Sequence, residues 1–523
     1  MTELAVDFGS ELPASWTVAA IKEVVEISPK LDVSKLNDDH LVHFVPMAAV
    51  AEDFGGLDSS LLRPMREVRK GYTAFSEGDV LFAKITPCME NGKGAIVPKL
   101  PHIHAFGSTE FHVLRPGGAI ADKWLAYYIS QPDFRRVARQ NMTGTAGQLR
   151  VPATWLSSAG LPLPPRAEQT RIVEKLEELL SGLDAGVAEL KAAQRKLAQY
   201  RQSLLKAAME GALTVDWRAT HGKPQETGAE LLRRILSGRR ARWEQKQLAK
   251  FAEQGKTPAK GWQAKYPEPT TPKVDDLSTL PDGWTWANVD QLSPDDLANG
   301  RSVPTAEVGA KVLRLTAVRG GKIDLSEWKY GAWSEEEAKP FAVTEGDLLV
   351  VRGNGSLALV GRAGLVGKVP DQVAYPDTLI RLRTIETVVR SAWMSLNWNS
   401  ELSRNHLEKR ARTSAGIYKI SQPDIVSVRV PVPPLAEQDR ILAEFDTHMK
   451  QIGSVEAALD AALKQATAQR KNLLKAAFAG HLVPQDPSDE PANELLARLR
   501  ATREADGSGG KTIKRGRKAK ETA

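Results

Sequence analysis

The sequence lacks the features that mark secreted, membrane-spanning and cysteine-rich metal proteins. Its 523 residues contain a single cysteine, Cys88, which excludes an internal disulfide framework and cysteine-rich zinc sites and fits a reducing cytoplasm. It has no run of about 18 apolar residues, so no membrane span is predicted. The first ten residues are acidic and have no apolar stretch, so they do not predict a signal peptide. We therefore expect a cytoplasmic protein.

The sequence also has little net charge outside its C-terminal end. Lys and Arg number 71 against 64 Asp and Glu, a net charge of +7. Six bases and one acid between Gly507 and Ala523 contribute +5 of this charge. Residues 506–523 are therefore predicted to be a disordered basic tail, and the total charge does not by itself indicate a nucleic-acid-binding surface.

An internal repeat with a period of about half the chain is the strongest feature present. Leu161-Pro-Leu-Pro-Pro-Arg-Ala-Glu-Gln169 recurs as Val430-Pro-Val-Pro-Pro-Leu-Ala-Glu-Gln438, and Leu204-Leu-Lys-Ala-Ala recurs as Leu473-Leu-Lys-Ala-Ala. Fainter matches join Leu12–Thr17 to Leu280–Thr285, the Gly78-Asp79 turn to Gly346-Asp347, and Thr109 to Thr378. Two similar frames with different contents predict one scaffold that presents two different binding surfaces.

Each half ends in a long segment with helical periodicity. The seven apolar-seam positions of each segment follow a heptad spacing; they are Leu176, Leu180, Leu183, Val187, Leu190, Gln194 and Leu197 in the first half and Phe445, Met449, Ile452, Glu456, Leu459, Leu463 and Ala466 in the second. Because one such helix cannot bury its own seam, we predict an antiparallel pair that acts as a spacer. A plain helical hairpin and an oligomerisation coil are the alternatives. Gly211 and Gly480 fit helix-ending positions.

Between the halves lies a charged, proline-containing stretch. Residues 226–251 predict a helix rich in arginine, which favours a solvated or docking face over DNA contact. Residues 253–279 contain four prolines and predict a linker.

The two divergent blocks combine short β-strands with polar loops. Residues 79–84 and 347–352 predict strands that follow Gly-Asp turns and end in a base, Lys84 or Arg352. Later loops place Arg150 and Lys419 at equivalent positions. These side chains suit phosphate and base-edge hydrogen bonding, although turn residues without a ligand give the same pattern.

The doubled Pro-x-Pro-Pro-x-Ala-Glu-Gln motif, each followed by a long helix and Leu-Leu-Lys-Ala-Ala, resembles the DNA-specificity subunit of type I restriction–modification enzymes. The stretches Gly78–Lys93 and Gly346–Ser356 resemble variants of that family's target recognition domains. The resemblance covers nearly the whole chain. It implies a mixed α/β fold in which two target recognition domains are separated by two long antiparallel coiled-coil-like helices, with pseudo-twofold symmetry.

The resemblance also implies domain boundaries. They are a proximal recognition domain at 1–160, a central conserved helix at 161–214, a charged helix and linker at 215–279, a distal recognition domain at 280–429, C-terminal conserved helices at 430–505 and the tail at 506–523.

The function that the resemblance implies is reading of a bipartite DNA sequence by a non-catalytic subunit. The implied partners are double-stranded DNA, two methyltransferase subunits and ATP-dependent restriction/translocase subunits. No cofactor is expected on this chain, whereas S-adenosylmethionine, ATP and Mg are implied for the partners. The residues predicted to contact DNA are Lys84, Thr86, Lys93, Ser108, Thr109 and Arg150 in the first domain and Arg352, Asn354, Ser356, Thr378, Arg381, Tyr418 and Lys419 in the second.

The residues give little support to catalysis. Neither Pro-Pro pair is followed by the aromatic residue of an adenine methyltransferase loop, since Arg166 and Leu435 follow them. The nine histidines form no metal-type spacing, and Cys88 fits a buried neutral thiol better than a nucleophile. Two alternatives remain open. One is the specificity module of a fused methyltransferase/nuclease system, and the other is a helical scaffold that binds proteins only.

Overall fold

A computed structural model describes residues 4–6, 11–34, 36–102, 104–145, 147–294, 296–414 and 416–505. The chain divides into two compact units. The first unit combines residues 1–191 with residues 460–523, and the second unit is the continuous segment Ala192–Leu459. The tail predicted for residues 506–523 lies outside the described residues.

The first unit contains a block of strands followed by a long helix. Its strands are β1 (Thr17–Ala20), β2 (Val25–Ile27), β3 (Leu41–Val45), β4 (Leu62–Pro64), β5 (Thr73–Ser76), β6 (Val80–Ala83), β7 (Gly94–Ile96), β8 (His104–Gly107), β9 (Phe111–Pro116) and β10 (Gly160–Leu163). Its helices are α1 (Ile21–Val24), α2 (Met65–Val68), α3 (Asp122–Ser130), α4 (Pro132–Gln140), α5 (Ala153–Ser158) and the beginning of α6 (Arg166–Met209). The sheets have the orders β2–β9–β6–β7, β4–β3–β8–β5 and β1–β10.

The second unit repeats this plan with a larger sheet. Its strands are β11 (Thr285–Asn288), β12 (Ala298–Asn299), β13 (Lys311–Leu313), β14 (Val318–Arg319), β15 (Lys322–Ile323), β16 (Trp328–Tyr330), β17 (Leu348–Val351), β18 (Gly353–Asn354), β19 (Ala363–Leu365), β20 (Leu379–Leu382), β21 (Arg412–Ser414), β22 (Ile417–Lys419) and β23 (Arg429–Val432). Besides the rest of α6, its helices are α7 (Val215–His221), α8 (Gly228–Glu253), α9 (Val289–Leu292), α10 (Glu335–Ala338), α11 (Ser391–Trp398), α12 (Glu401–Arg410), α13 (Gln422–Val426) and the beginning of α14 (Leu435–Phe478). The end of α14 and α15 (Ala492–Ala505) belong to the first unit. The sheets are β12–β20–β17–β19–β15–β14, β18–β22–β21, β13–β16 and β11–β23.

The predicted mixed α/β class with two long helices is confirmed. Helices α6 and α14 are each 44 residues long and begin directly after a Pro-Pro pair, where a missing N–H costs nothing. All fourteen predicted seam side chains are buried or half-buried. Asp184 on α6 pairs with Arg470 on α14 in the first unit, and Arg201 pairs with Glu456 in the second. A later α6 residue thus meets an earlier α14 residue, which is the predicted antiparallel direction.

The glutamine of the repeated motif joins each recognition block to its long helix. Gln169 accepts a hydrogen bond from the Ala121 N–H at 2.8 Å and donates to the carbonyls of Ala119 and Pro164. Gln438 does the same with the Arg390 N–H and the carbonyls of Val388 and Pro433. Both side chains are fully buried, so the same set of backbone hydrogen bonds holds the motif glutamine in each half.

The glutamate of the motif binds a tryptophan from the beginning of the block. The Trp16 indole N–H donates to Glu168 at 2.9 Å, and the Trp284 indole N–H donates to Glu437 at 2.8 Å. Each tryptophan also packs edge-on against a second one, Trp124 or Trp393, with ring centroids 5.7 and 5.9 Å apart. The faint match around Trp16 and Trp284 is therefore a true structural equivalence.

The predicted helix-ending glycines are confirmed. Gly480 has a φ of +74°, and a Cβ there would lie 2.4 Å from Pro13 Cγ; Gly211 has a φ of +72°, and its Cβ would lie 2.7 Å from Pro281 Cγ. The end of α14 therefore contacts the beginning of the first block, and Ala492 donates to the Ser15 carbonyl beside it.

The stretch predicted as a linker packs closely against the rest of the second unit. Trp243 of α8 stacks on Trp262 with ring centroids 5.7 Å apart, and Tyr266 is buried beside them. Asn288 donates to the Thr270 carbonyl, and Arg429 pairs with Asp276 at 2.5 Å. The prolines exclude a long α-helix here and leave a short 3-10 helix at Trp262–Lys265, but they do not prevent packing, so we call residues 253–279 the strap.

The arginines of the charged helix α8 are largely neutralised by their own unit. Arg234 pairs with Glu226, Arg239 with Asp290, and Arg240 with Glu244. This agrees with the predicted solvated or docking face. Among the described residues, no helix is both long and apolar enough to cross a bilayer.

Candidate nucleic-acid interface

The loops that follow β17 in the second unit bring most of its predicted contact residues together. The Arg352 N–H donates to the Thr378 carbonyl at 2.8 Å, and the Ile420 N–H donates to the Arg352 carbonyl at 2.9 Å. Strand β18 pairs Gly353 with Lys419 and Asn354 with Tyr418. We call the resulting patch the distal surface; it comprises Arg352, Asn354, Ser356, Thr378, Arg412, Thr413, Tyr418 and Lys419.

The distal surface carries exposed positive charge. Arg352, Arg412 and Lys419 are exposed, and within the described part of the chain no ion pair to any of them is found. Arg412 lies opposite Lys419 in the β21–β22 pair. Tyr418 is half-buried against the core, so it fixes the hairpin while its neighbours face solvent. Such a patch attracts phosphates and can donate to base edges.

Arg381 does not lie with these residues. Its Nη1 donates to the Ala342 carbonyl at 3.0 Å, and its guanidinium lies 5.2 Å from the Tyr375 ring centroid. Arg381 is three residues beyond Thr378 along the strand, about 10 Å at ~3.3 Å per residue. Its contacts show a structural role at the other end of β20.

The first unit builds the same frame from different side chains. The Lys84 N–H donates to the Glu110 carbonyl at 2.9 Å, and the Val151 N–H donates to the Lys84 carbonyl at 2.8 Å. Bridges join Arg150 to Ile85 and Thr143. We call this patch the proximal surface; it comprises Lys84, Thr86, Ser108, Thr109, Glu110 and Arg150.

The hydrogen bonds correct the sequence alignment of the two halves by one residue. Lys84 is equivalent to Arg352, and the residue whose carbonyl accepts its N–H is Glu110 in one unit and Thr378 in the other. The strand registers agree, since Val80 faces Leu114 and Leu348 faces Leu382. Thr378 therefore corresponds to Glu110 rather than to Thr109, and sequence matching alone missed this substitution of an acid by a hydroxyl.

A salt bridge dominates the proximal surface. Arg150 donates from Nε and Nη2 to the two carboxylate oxygens of Glu110, both at 2.9 Å. The hydrogen bond from Arg150, together with the Arg150 and Lys84 charges, lowers the pKa of Glu110 below its usual value. The carboxylate is therefore ionised at neutral pH, and the pair is close to neutral as a unit.

The other predicted residues of the first unit have mixed placements. Ser108 accepts a hydrogen bond from the Glu110 N–H at 3.2 Å, and Thr109 is exposed in the same turn. The Thr86 hydroxyl is buried and has no hydrogen-bond partner among the described residues. Lys93 differs, because its Nζ donates to the Met47 carbonyl at 3.2 Å and its side chain is half-buried.

The structural role of the Gly-Asp turns is now clear. Asp79 is buried and binds Arg115 through both carboxylate oxygens, at 2.7 and 2.8 Å. Asp347 binds Arg383 in the equivalent way. These ion pairs fix the beginning of β6 and of β17. They do not involve the far ends of the two strands, which are followed by different bases, Lys84 and Arg352.

Within the described ranges, no group of three or more His, Cys, Asp or Glu side chains could hold a metal ion. Cys88 is half-buried against an apolar cluster.

A cavity of about 770 Å³ in the second unit lies between α12 and the strap. His406 lines it, with Nε2 2.9 Å from the Ser427 hydroxyl and Nδ1 3.3 Å from Arg410 Nη1. Ser427 donates to the Asp424 carbonyl, so we assign the imidazole as neutral with its proton on Nε2. Burial, together with the Arg410 and Arg429 charges, lowers the pKa of His406 to about 4.

The lowered pKa of His406 predicts that the protein loses folding stability in acid. The unfolded chain binds a proton near pH 6.5, whereas the folded chain binds it only near pH 4, so folding stability falls as the pH falls through this interval. After a discount for solvent screening we expect a decline of about 1–2 kcal/mol. Urea unfolding at pH 7 and pH 4.5 should show it, and His406→Gln should reduce it while the exposed control His481→Gln should not. An undiminished decline in His406→Gln would contradict the assignment.

Comparison with known proteins reveals relatives of this chain. A family model for the type I restriction modification DNA specificity domain matches residues 13–191. The type I restriction enzyme EcoEI specificity subunit of Escherichia coli is 28% identical over 502 residues, which cover 86% of this chain and 80% of that protein. The EcoKI specificity subunit of Escherichia coli strain K12 is 26% identical over 528 residues, with coverages of 97% and 98%. These similarities, which extend over most of the chain, support its identification as a type I specificity subunit.

Solved structures agree with this specificity-subunit fold. The HsdS subunit from Thermoanaerobacter tengcongensis is 19% identical and covers 90% of the chain and 99% of its own length, with a TM-score of 0.50. A chain solved in work on complex assembly and conformational transition of the type I restriction–modification system has the same coverages, with 20% identity and a TM-score of 0.62.

Proposed function

We propose that this specificity subunit reads a bipartite DNA target, one half-site with each unit. The observation that carries the proposal is the doubled frame. Equivalent backbone hydrogen bonds present Lys84, Glu110 and Arg150 in one unit and Arg352, Thr378 and Lys419 in the other. A frame that is kept while its exposed polar side chains change is suited to reading two different base sequences.

The subunit is proposed to act without catalysing a reaction itself. The proximal and distal surfaces supply phosphate contacts for register and base-edge contacts for specificity, and the long helices that join the units are proposed to set the number of unread base pairs. Methyltransferase subunits that use S-adenosylmethionine would modify adenine beside each half-site. ATP-dependent translocase subunits, with Mg, would complete the restricting complex.

A map of genomic N6-methyladenine tests this function. Long-read sequencing of cells with and without the gene should show that methylation disappears from one interrupted two-part motif on deletion. The wild-type gene should restore it. The matched variant Arg352→Ala should weaken or relax reading of one half of the motif only, because Arg352 lies in one unit. Methylation that is unchanged in the deletion strain, although the chain co-purifies with an active methyltransferase, would contradict the proposal.

A further inference from the structure

The Glu110–Arg150 pair of the proximal surface is not repeated at the equivalent positions of the second unit. Arg150 keeps 40% of its side chain exposed and Glu110 keeps 25%, so the pair lies at the surface that the proposed function assigns to DNA. Thr378 replaces the acid in the second unit and Lys419 replaces the arginine. The two units therefore carry different chemistry at the same place in the frame.

The hydrogen bonds of Arg150 leave a defined part of its guanidinium free. Three of its five N–H groups are used inside the protein, by the two Glu110 oxygens and by the Gln148 carbonyl at 3.1 Å. One N–H remains on each Nη atom. A guanidinium fixed in this way can still make two hydrogen bonds to neighbouring acceptors, and it loses little side-chain entropy in doing so.

Charge decides which acceptors fit. Because Glu110 neutralises Arg150, the pair gains little from the negative field of a phosphate, and the carboxylate repels it. The edge of guanine in the major groove is uncharged and places two acceptors, O6 and N7, side by side. Bidentate donation to guanine is the contact that such an arginine can make with both remaining N–H groups.

The second unit shows the contrasting arrangement. Lys419 is a point charge that pairs with no acid among the described residues, and the exposed Arg352 and Arg412 lie near it. Unneutralised cations in this pattern suit phosphates. The comparison shows that the frame does not require an acid at position 110, so Glu110 is not explained by folding alone.

We propose that Glu110 is a positioning residue that holds Arg150 for bidentate recognition of a guanine in the half-site read by the first unit. This inference rests on the proposed function and goes beyond it, since it names the base and the residue that orients its reader. It requires that this half-site contain a guanine.

The test uses the full chain in complex with its methyltransferase and the motif found by methylation mapping. Replacing the critical guanine by 7-deazaguanine removes N7 and keeps base pairing. Wild-type complex should bind this DNA roughly 10- to 100-fold more weakly than the natural DNA. Glu110→Thr introduces the residue of the second unit, and Arg150→Lys keeps the charge but loses the fork. Both variants should discriminate less than about threefold between the two DNAs.

A second readout separates positioning from a structural role. In Glu110→Thr the charge of Arg150 is no longer neutralised by a carboxylate, so the slope of log K against log salt should become steeper by about 0.9. This change should vanish in the double variant Glu110→Thr/Arg150→Thr. Glu67→Thr, which removes an exposed acid of the same unit, should change neither the slope nor the discrimination. Discrimination at the other half-site is an internal control for folding and should stay as in the wild type.

Three results would overturn the inference. The first is that the half-site read by the first unit contains no guanine. The second is that both variants keep full discrimination between guanine and 7-deazaguanine. The third is that discrimination is lost equally at both half-sites. The absence of any two-part motif would instead overturn the proposed function, so the two failures can be told apart.

Discussion

Replacement of Glu437 by alanine should lower the free energy of unfolding of the second unit by about 3–5 kcal/mol. Glu437 is 1% exposed and accepts hydrogen bonds from the Trp284 indole at 2.8 Å, from the Thr214 hydroxyl at 2.7 Å and from Arg218. Alanine would leave the Trp284 indole without its acceptor and the largely buried Arg218 cation without its carboxylate partner. Loss of one partner of a buried ion pair costs far more than the pair contributes in net terms.

Hydrogen exchange measured by mass spectrometry can localise this effect. Amides of β11 and β23 should lose protection in Glu437→Ala, while β1 and β10 of the first unit keep theirs. Asp446→Ala on the same helix is the matched control, because Asp446 is 63% exposed and pairs with Lys450, and we expect at most about 0.5 kcal/mol. An effect of Glu437→Ala no larger than that of the control would show that the buried carboxylate is not an anchor.

The triple variant Arg352→Ala, Arg412→Ala and Lys419→Ala should weaken binding of target DNA by the assembled complex by roughly 100-fold at ~0.15 M salt. Each phosphate contact contributes about 0.9 to the slope of log K against log salt. If all three cations bind phosphates, the slope should fall by about 2.7 in total. Fluorescence anisotropy with a labelled duplex, over a roughly fourfold range of salt from about 50 to about 200 mM, measures both quantities.

Three other exposed cations of the second unit form a matched control for net charge. Lys322, Lys339 and Lys368 are exposed and lie outside the distal surface. Their replacement by alanine should change the slope of log K against log salt by less than about 0.9, the value of one phosphate contact. Equal effects of the two triple variants would mean that the second unit attracts DNA through its overall charge. The distal surface would then have no special role.

The frame of the molecule could be predicted from the sequence because its anchors are short and repeated. The Pro-Pro pair, the glutamate and the glutamine recur together in both halves. The glutamate binds the same kind of partner in each half, the Trp16 indole for Glu168 and the Trp284 indole for Glu437. The heptad seam was predictable for the same reason, since helix geometry alone fixes which side chains share a face. The strap was not, because proline content predicts the absence of helix and contains no information about packing of Tyr266 or Trp262.

The contact surfaces were predictable only in part. Six of the seven residues predicted in the second domain lie together, whereas Arg381 faces the Ala342 carbonyl. Arg412 and Thr413 were missed, although the repeat makes Arg412 equivalent to Thr143, which pairs with Arg150 as Arg412 pairs with Lys419. Glu110 was missed because a search for DNA contacts favours cations, and because its partner Arg150 is 40 residues away. Tertiary pairing decides which charges are free, and spacing along the chain does not report it.

The return of α14 to Pro13 and Trp16 has a consequence for the order in which the protein folds during synthesis. The second unit is one continuous segment, Ala192–Leu459, so all of it is present once residue 459 has left the ribosome. The first unit, although it is translated first, needs Phe478 against Trp124, at 4.3 Å between ring centroids, and Leu495 in the same core. Domains usually fold in the order of synthesis. Here we expect the N-terminal block to complete its core only after Phe478 and Leu495 have been synthesised.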